Sequence, residues 1–87
     1  MKHAGAAALD QLEPLLAEIR AIAGLKEKSR GVFYRNSRAF LHFHEDPSGL
    51  FADVRTADGS DFERLRVDDT EGARSLVERA LARSAKA

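Results

Sequence analysis

From Val32 onward the apolar residues stop recurring every three or four positions and begin to alternate, and no gap between alternating runs exceeds five residues. That change of period dictates strands, because only a pleated chain sends successive side chains to opposite faces. The pattern predicts four of them: Val32–Arg35, Arg38–Glu45, Leu50–Thr56 and Phe62–Val67. The joints are Asn36-Ser37, Asp46-Pro47-Ser48-Gly49 and Ala57-Asp58-Gly59-Ser60-Asp61, all rich in turn-setting residues. Links this short join only antiparallel neighbours, so the expected sheet is a four-stranded meander.

Helical spacing flanks the strands. Leu12, Leu15, Leu16, Ile19, Ile22 and Ala23 form one stripe, with Asp10 as the expected N-cap, Glu13 completing a capping box and Pro14 in the first turn. Gly24 is the expected C-cap, so a helix over residues 11–23 is predicted, and residues 1–9, with His3, are expected to fray. Lys26 to Gly31 reads as a polar connector. Asp68-Asp69-Thr70-Glu71 offers cap acceptors and first-turn acids for a second helix. Its stripe is Ala73, Leu76, Val77, Ala80 and Leu81, and Arg79, Arg83 and Lys86 suit its C-terminal end. The class is therefore α+β: an N-terminal helix, a four-stranded antiparallel meander and a C-terminal helix.

At 87 residues there is room for one domain, spanning 1–87, with a thin stability margin. Cysteine is absent, which excludes a disulfide framework, a thiolate metal site and a thiol nucleophile. A reducing, cytoplasmic location is the expectation, and no apolar run is long enough to span a bilayer.

Sorting the strands by alternation gives two faces. Leu41, Phe43, Leu50, Ala52, Val54, Leu65 and Val67 make a clean apolar set that the two helices can cover. The other face collects Phe40, His42 and His44, then Phe51, Asp53 and Arg55, then Phe62, Arg64 and Arg66. The first strand's faces are ambiguous, with Val32 and Tyr34 on one side and Phe33 and Arg35 on the other. Three phenylalanines on a nominally solvated face call for a covering surface. The expected binding face is Phe40, His42, His44, Phe51, Asp53, Arg55, Phe62 and Arg64, and its expected partner is a second copy of the chain, anchored on Phe40, His42, Phe51 and Phe62. A small ligand is the other occupant that face suits.

His42 and His44 lie roughly 7 Å apart along one side of a strand. Such a pair can chelate zinc or iron, with Asp53 as the natural third ligand. The same three residues can do acid–base work, with an arginine holding an anion. Weighed against both is an ordinary cross-strand pairing of Asp53 with histidine and arginine, which stiffens a sheet without any cofactor. No nucleophile with a base, phosphate loop or carboxylate pair points to a reaction, so the expectation is a non-enzymatic module with no cofactor.

Fourteen basic residues balance fourteen acidic ones. Lys26, Lys28, Arg30, Arg35 and Arg38 cluster before the second strand, while Glu45 to Glu63 holds six acids against Arg55 alone. A general nucleic-acid binder carries a basic excess instead, so nucleic acid is not the favoured partner. A dipole of this kind suits oriented self-pairing.

The runs Gly31-Val32-Phe33-Tyr34, Phe40-Leu41-His42-Phe43-His44-Glu45-Asp46-Pro47 and Gly49-Leu50-Phe51-Ala52-Asp53-Val54-Arg55 resemble a group of short bacterial proteins with an FLHFHED–GLFADVR signature. The resemblance brings no activity with it. More distantly, residues 12–67 are similar in layout to the MmcQ/YjbR and TfoX N-terminal type of domain, a leading helix followed by an aromatic-rich antiparallel sheet. DNA binding suggested for that wider type implies the same here only by analogy of fold. The later elements of the larger YjbR proteins have no counterpart in this chain, and no functional residue carries over.

Overall fold

A computed structural model describes residues 1–85. Their order is β1 (Lys2–His3), α1 (Ala6–Gln11), α2 (Glu13–Arg20), β2 (Lys26–Ser29), β3 (Val32–Arg35), β4 (Arg38–Asp46), β5 (Gly49–Arg55), β6 (Phe62–Arg66) and α3 (Thr70–Ser84). The class is α+β as expected, but six strands and three helices replace four and two among the described residues. Strands β2 to β6 lie side by side in chain order, and every pairing is antiparallel. The meander of β3 to β6 forms as read. Asn36 and Ser37, at φ 52° and 68°, make the two-residue turn with both positions left-handed that matches strand twist.

Two strands were not expected. Lys26–Ser29 looks like a connector because it lacks alternation, yet it pairs with β3 as the sheet's polar edge. Glu27 secures it: the carboxylate accepts from the Gly31 amide at 3.0 Å and from Arg20 Nε at 2.6 Å, tying the edge to α2. Gly31 (φ 81°) turns the chain there, and a Cβ on it would lie 2.7 Å from Leu9 Cδ2. The other strand, β1, pairs Lys2 with Glu45 and His3 with His44. It occupies the stretch of the β4 edge that β3 leaves uncovered, since β3 pairs only as far as His42. The Ala4 amide donates to Phe43 C=O at 3.0 Å, and the Gly5 amide to Glu45 Oε2 at 2.7 Å.

Residues 1–9 are thus a strand and most of a helix rather than a frayed start. The first helix begins at Ala6 because Ala6-Ala7-Ala8 has high helix propensity and Gly5 sits at the N-cap. Asp10 lies inside the helix, not at its cap, and pairs with Arg30 at 2.9 Å. Pro14 supplies no N–H to the Asp10 carbonyl four residues back, and the chain breaks between α1 and α2 at Leu12 (φ −88°, ψ 0°). Asp69 caps α3, its carboxylate accepting from the Gly72 amide at 2.6 Å. Lys86 lies outside the described residues.

One cluster forms the core. Phe33, Leu41, Phe43, Ala52, Val54 and Val67 from the sheet side meet Leu9, Leu12, Leu15, Leu16, Ile19 and Ile22 from the N-terminal half and Leu76 and Ala80 from α3. Phe33, 1% exposed, resolves the ambiguity of its strand: it faces the core, and Val32 stands opposite His42 on the other side. Leu81, expected in the α3 stripe, is 50% exposed. Of the residues sorted onto the histidine face, Phe40 joins the core cluster and the others lie outside it.

Candidate metal centre on the open sheet face

Register sets the site. Val32, His42, Asp53 and Arg64 stand in one row across β3, β4, β5 and β6, and His3, His44, Phe51 and Arg66 stand in the next across β1, β4, β5 and β6. Two-residue spacing on β4 puts His42 and His44 on one side, as the sequence indicates. The addition is His3, delivered by β1 beside His44.

The three imidazoles converge. His42 Nδ1 and His44 Nε2 are hydrogen-bonded to each other at 2.7 Å, and one ligand atom from each of His3, His42 and His44 lies within 4.8 Å of the others. Ring centroids are 4.8 Å apart for His3–His44 and His42–His44 and 5.7 Å for His3–His42. Asp53 Oδ2 is 3.4 Å from His44 Nε2. Two ligand atoms of one tetrahedral zinc ion sit about 3.3 Å apart, from Zn–N bonds of about 2.0 Å. The 3.4 Å between His44 Nε2 and Asp53 Oδ2 is close to that value, whereas the 2.7 Å hydrogen bond between His42 and His44 would have to lengthen to admit an ion. His44 Nδ1 is buried.

Among the described residues Asp53 is the buried charged one, 7% exposed. Arg64 makes that burial tolerable by a two-pronged contact, Nε to Oδ1 at 2.8 Å and Nη2 to Oδ2 at 2.9 Å. The Arg64 hydrogen bonds hold the Asp53 carboxyl below the usual carboxylate range. Burial, then the neighbouring His44, pushes His42 below the ordinary imidazole value. Burial also pushes His44 down, more than Asp53 draws it up. At neutral pH the pair is therefore uncharged beside an ionised carboxylate, the protonation state metal ligation requires. A metal ion would take the place of the proton between His42 Nδ1 and His44 Nε2.

Other residues of the expected face fall elsewhere. Phe40 is 4% exposed and belongs to the core cluster. The β3–β4 register shifts between Phe33–Leu41 and Tyr34–Ala39, so Phe40 is the extra residue of a bulge and is buried together with Leu41. Phe62 is covered by the Arg55 guanidinium, 4.6 Å from its centroid, and by the His42 ring at 5.0 Å. Phe51 has Arg66 at 5.9 Å. The aromatic patch is smaller than alternation suggests, and a homodimer on it loses Phe40 as an anchor.

No family model, curated protein or solved structure matches the chain. No helix among the described residues is long and apolar enough to cross a membrane.

Proposed function

We propose that this domain is a non-enzymatic metal-binding module that holds one late first-row divalent cation, with zinc the best fit, on His3, His42, His44 and Asp53. The observation that carries the reading is the convergence of three imidazoles from two strands beside a buried carboxylate. With no thiol in the chain, an all-nitrogen-and-oxygen donor set favours zinc over the softer copper(I). Four protein ligands fill a tetrahedral shell and leave no position for substrate, the arrangement of a structural site. Asp53 ligates through Oδ2, which also accepts from Arg64 Nη2, while Oδ1 accepts from Arg64 Nε, and this pairing fixes the carboxylate's direction. Because His3 comes from β1 and the other ligands from β4 and β5, the ion joins the chain's start to its central strands.

The test is thermal unfolding of tag-free protein with zinc and with chelator. A saturating ion, at about a hundred times its dissociation constant, adds about 2.7 kcal/mol. For a chain of this size that raises Tm by about 10 °C or more. His42→Ala abolishes the zinc-dependent shift. Identical Tm values with zinc and with chelator would contradict the reading, as would purified protein that carries no stoichiometric metal.

A further inference from the structure

A second cluster of chemistry lies at the β3–β4 turn, beside the β5–β6 loop and the end of α3. A cavity of about 270 Å³ opens there, and Arg35, Arg38, Arg55 and Arg83 line it with one acid, Asp58. Guanidiniums brought together repel one another, and the common remedy is a carboxylate between them. Here the partners are mostly main-chain carbonyls. Arg38 donates Nη2 to Gly59 C=O at 3.3 Å. Arg55 donates Nη1 to that same carbonyl at 2.8 Å and Nε to Ala39 C=O at 2.7 Å. Arg83 donates Nη1 to Arg55 C=O at 3.2 Å and Nη2 to Glu63 at 2.8 Å, a carboxylate it shares with Arg79. Arg35 donates Nε to Ser84 C=O at 3.0 Å.

A carbonyl aims a guanidinium without neutralising it. Asp58 stays ionised, one negative charge among the four guanidiniums, so the described lining keeps a net positive charge. Its Oδ1 accepts from the Thr56 hydroxyl at 2.7 Å and from the Ser60 amide and hydroxyl at 3.0 and 2.8 Å, so its own loop, not a guanidinium, holds that oxygen. Those bonds hold its pKa down to about 2. Arg38 and Arg55 are thus oriented on one oxygen, with no ion pair to an acid among the described residues, and with donors to spare from the five N–H groups each carries. Two forks converging on a small cavity match a tetrahedral oxyanion, whose oxygens accept several charge-assisted bonds at once.

The geometry points to a phosphate-group site in this cavity, with Arg38 and Arg55 binding the anion's oxygens and Arg83 adding positive charge behind them. The site is separate from the metal centre, and its failure leaves that reading untouched. The cavity has room for a phosphate group, and its open side leaves space for an ester substituent.

Inorganic phosphate is titrated into the full chain at constant ionic strength, in chelator so that no metal-bound phosphate contributes. The arginine Nε–Hε NMR signals are followed, and a nucleoside monophosphate is titrated in parallel. Saturable shifts at Arg38 and Arg55 are expected, and R38Q weakens binding about tenfold, the loss of one charge-assisted contact. Arg38 is an exposed strand-end residue, so R38Q keeps the wild-type Tm. Tighter binding of the ester supports the site and identifies organic phosphate as the source, whereas equal binding supports it with free phosphate as the source. Shifts that chloride reproduces, affinity unchanged in R38Q, or an oligonucleotide complex with which phosphate does not compete would overturn the proposal.

Discussion

His42 and His44 illustrate how a residue's chemistry is set by what surrounds it rather than by its type. Both lose basicity chiefly to burial, and Asp53 is too committed to Arg64 to reverse that. The sign of the consequence follows from linkage. A histidine whose pKa falls on folding binds fewer protons folded than unfolded below its ordinary value of about 6.5. Its stabilising share is complete above that pH and is lost as pH drops through the depressed folded value. Metal-free protein should therefore lose stability progressively as pH falls below about 6.5, well before carboxylates titrate. In H42A/H44A that slope flattens, and denaturant melts at stepped pH measure it. An equal slope in the double variant would mean the histidines are not the titrating groups. Asp53 follows the same rule further down, its contribution lost below the ordinary aspartate range because Arg64 lowers its pKa.

At the scale of elements, close approach matters more than propensity. Gly72 shows it: a Cβ there would lie 2.0 Å from the Arg66 carbonyl oxygen, so α3 reaches β6 only because this position has no side chain. Gly72→Ala should destabilise by about 1–3 kcal/mol as an overpacking change, although alanine is the better helix former. A variant as stable as the parent in denaturant melts would refute that packing account. Turns and alternation were readable because they are local: Asn36-Ser37 and the pairing of β4 with β5 depend on a few consecutive residues. The Asp53 row was readable for the same reason, since hairpin register follows from turn length. What the sequence conceals is non-local. Nothing within Lys26–Ser29 says that it lines an edge, because its anchor is Glu27 meeting Arg20 and Gly31. Nothing within Met1–Gly5 says that His3 reaches His44, because the vacancy it fills arises where β3 stops. Phe40 switches to the core because of a bulge, and alternation alone counts no extra residues.

For the molecule as a whole, the centre changes what holds a short chain together. A domain of 87 residues has a modest core, and β1 is a two-residue strand whose side-chain support is the exposed Lys2–Glu45 pair at 3.5 Å and the Gly5–Glu45 bond. A cation shared by His3, His42, His44 and Asp53 would fasten that strand far more firmly than those contacts do. Hydrogen exchange at Ala4, whose amide bonds to Phe43, should then slow when zinc is added, and an unchanged rate would mean the ion does not engage His3. The most direct measurement is X-ray absorption at the zinc edge of the loaded, tag-free protein. The account expects four ligands near 2.0 Å with the multiple-scattering signature of three imidazoles, falling to two in His3→Ala. A six-oxygen shell, or no zinc retained after dialysis, would contradict it.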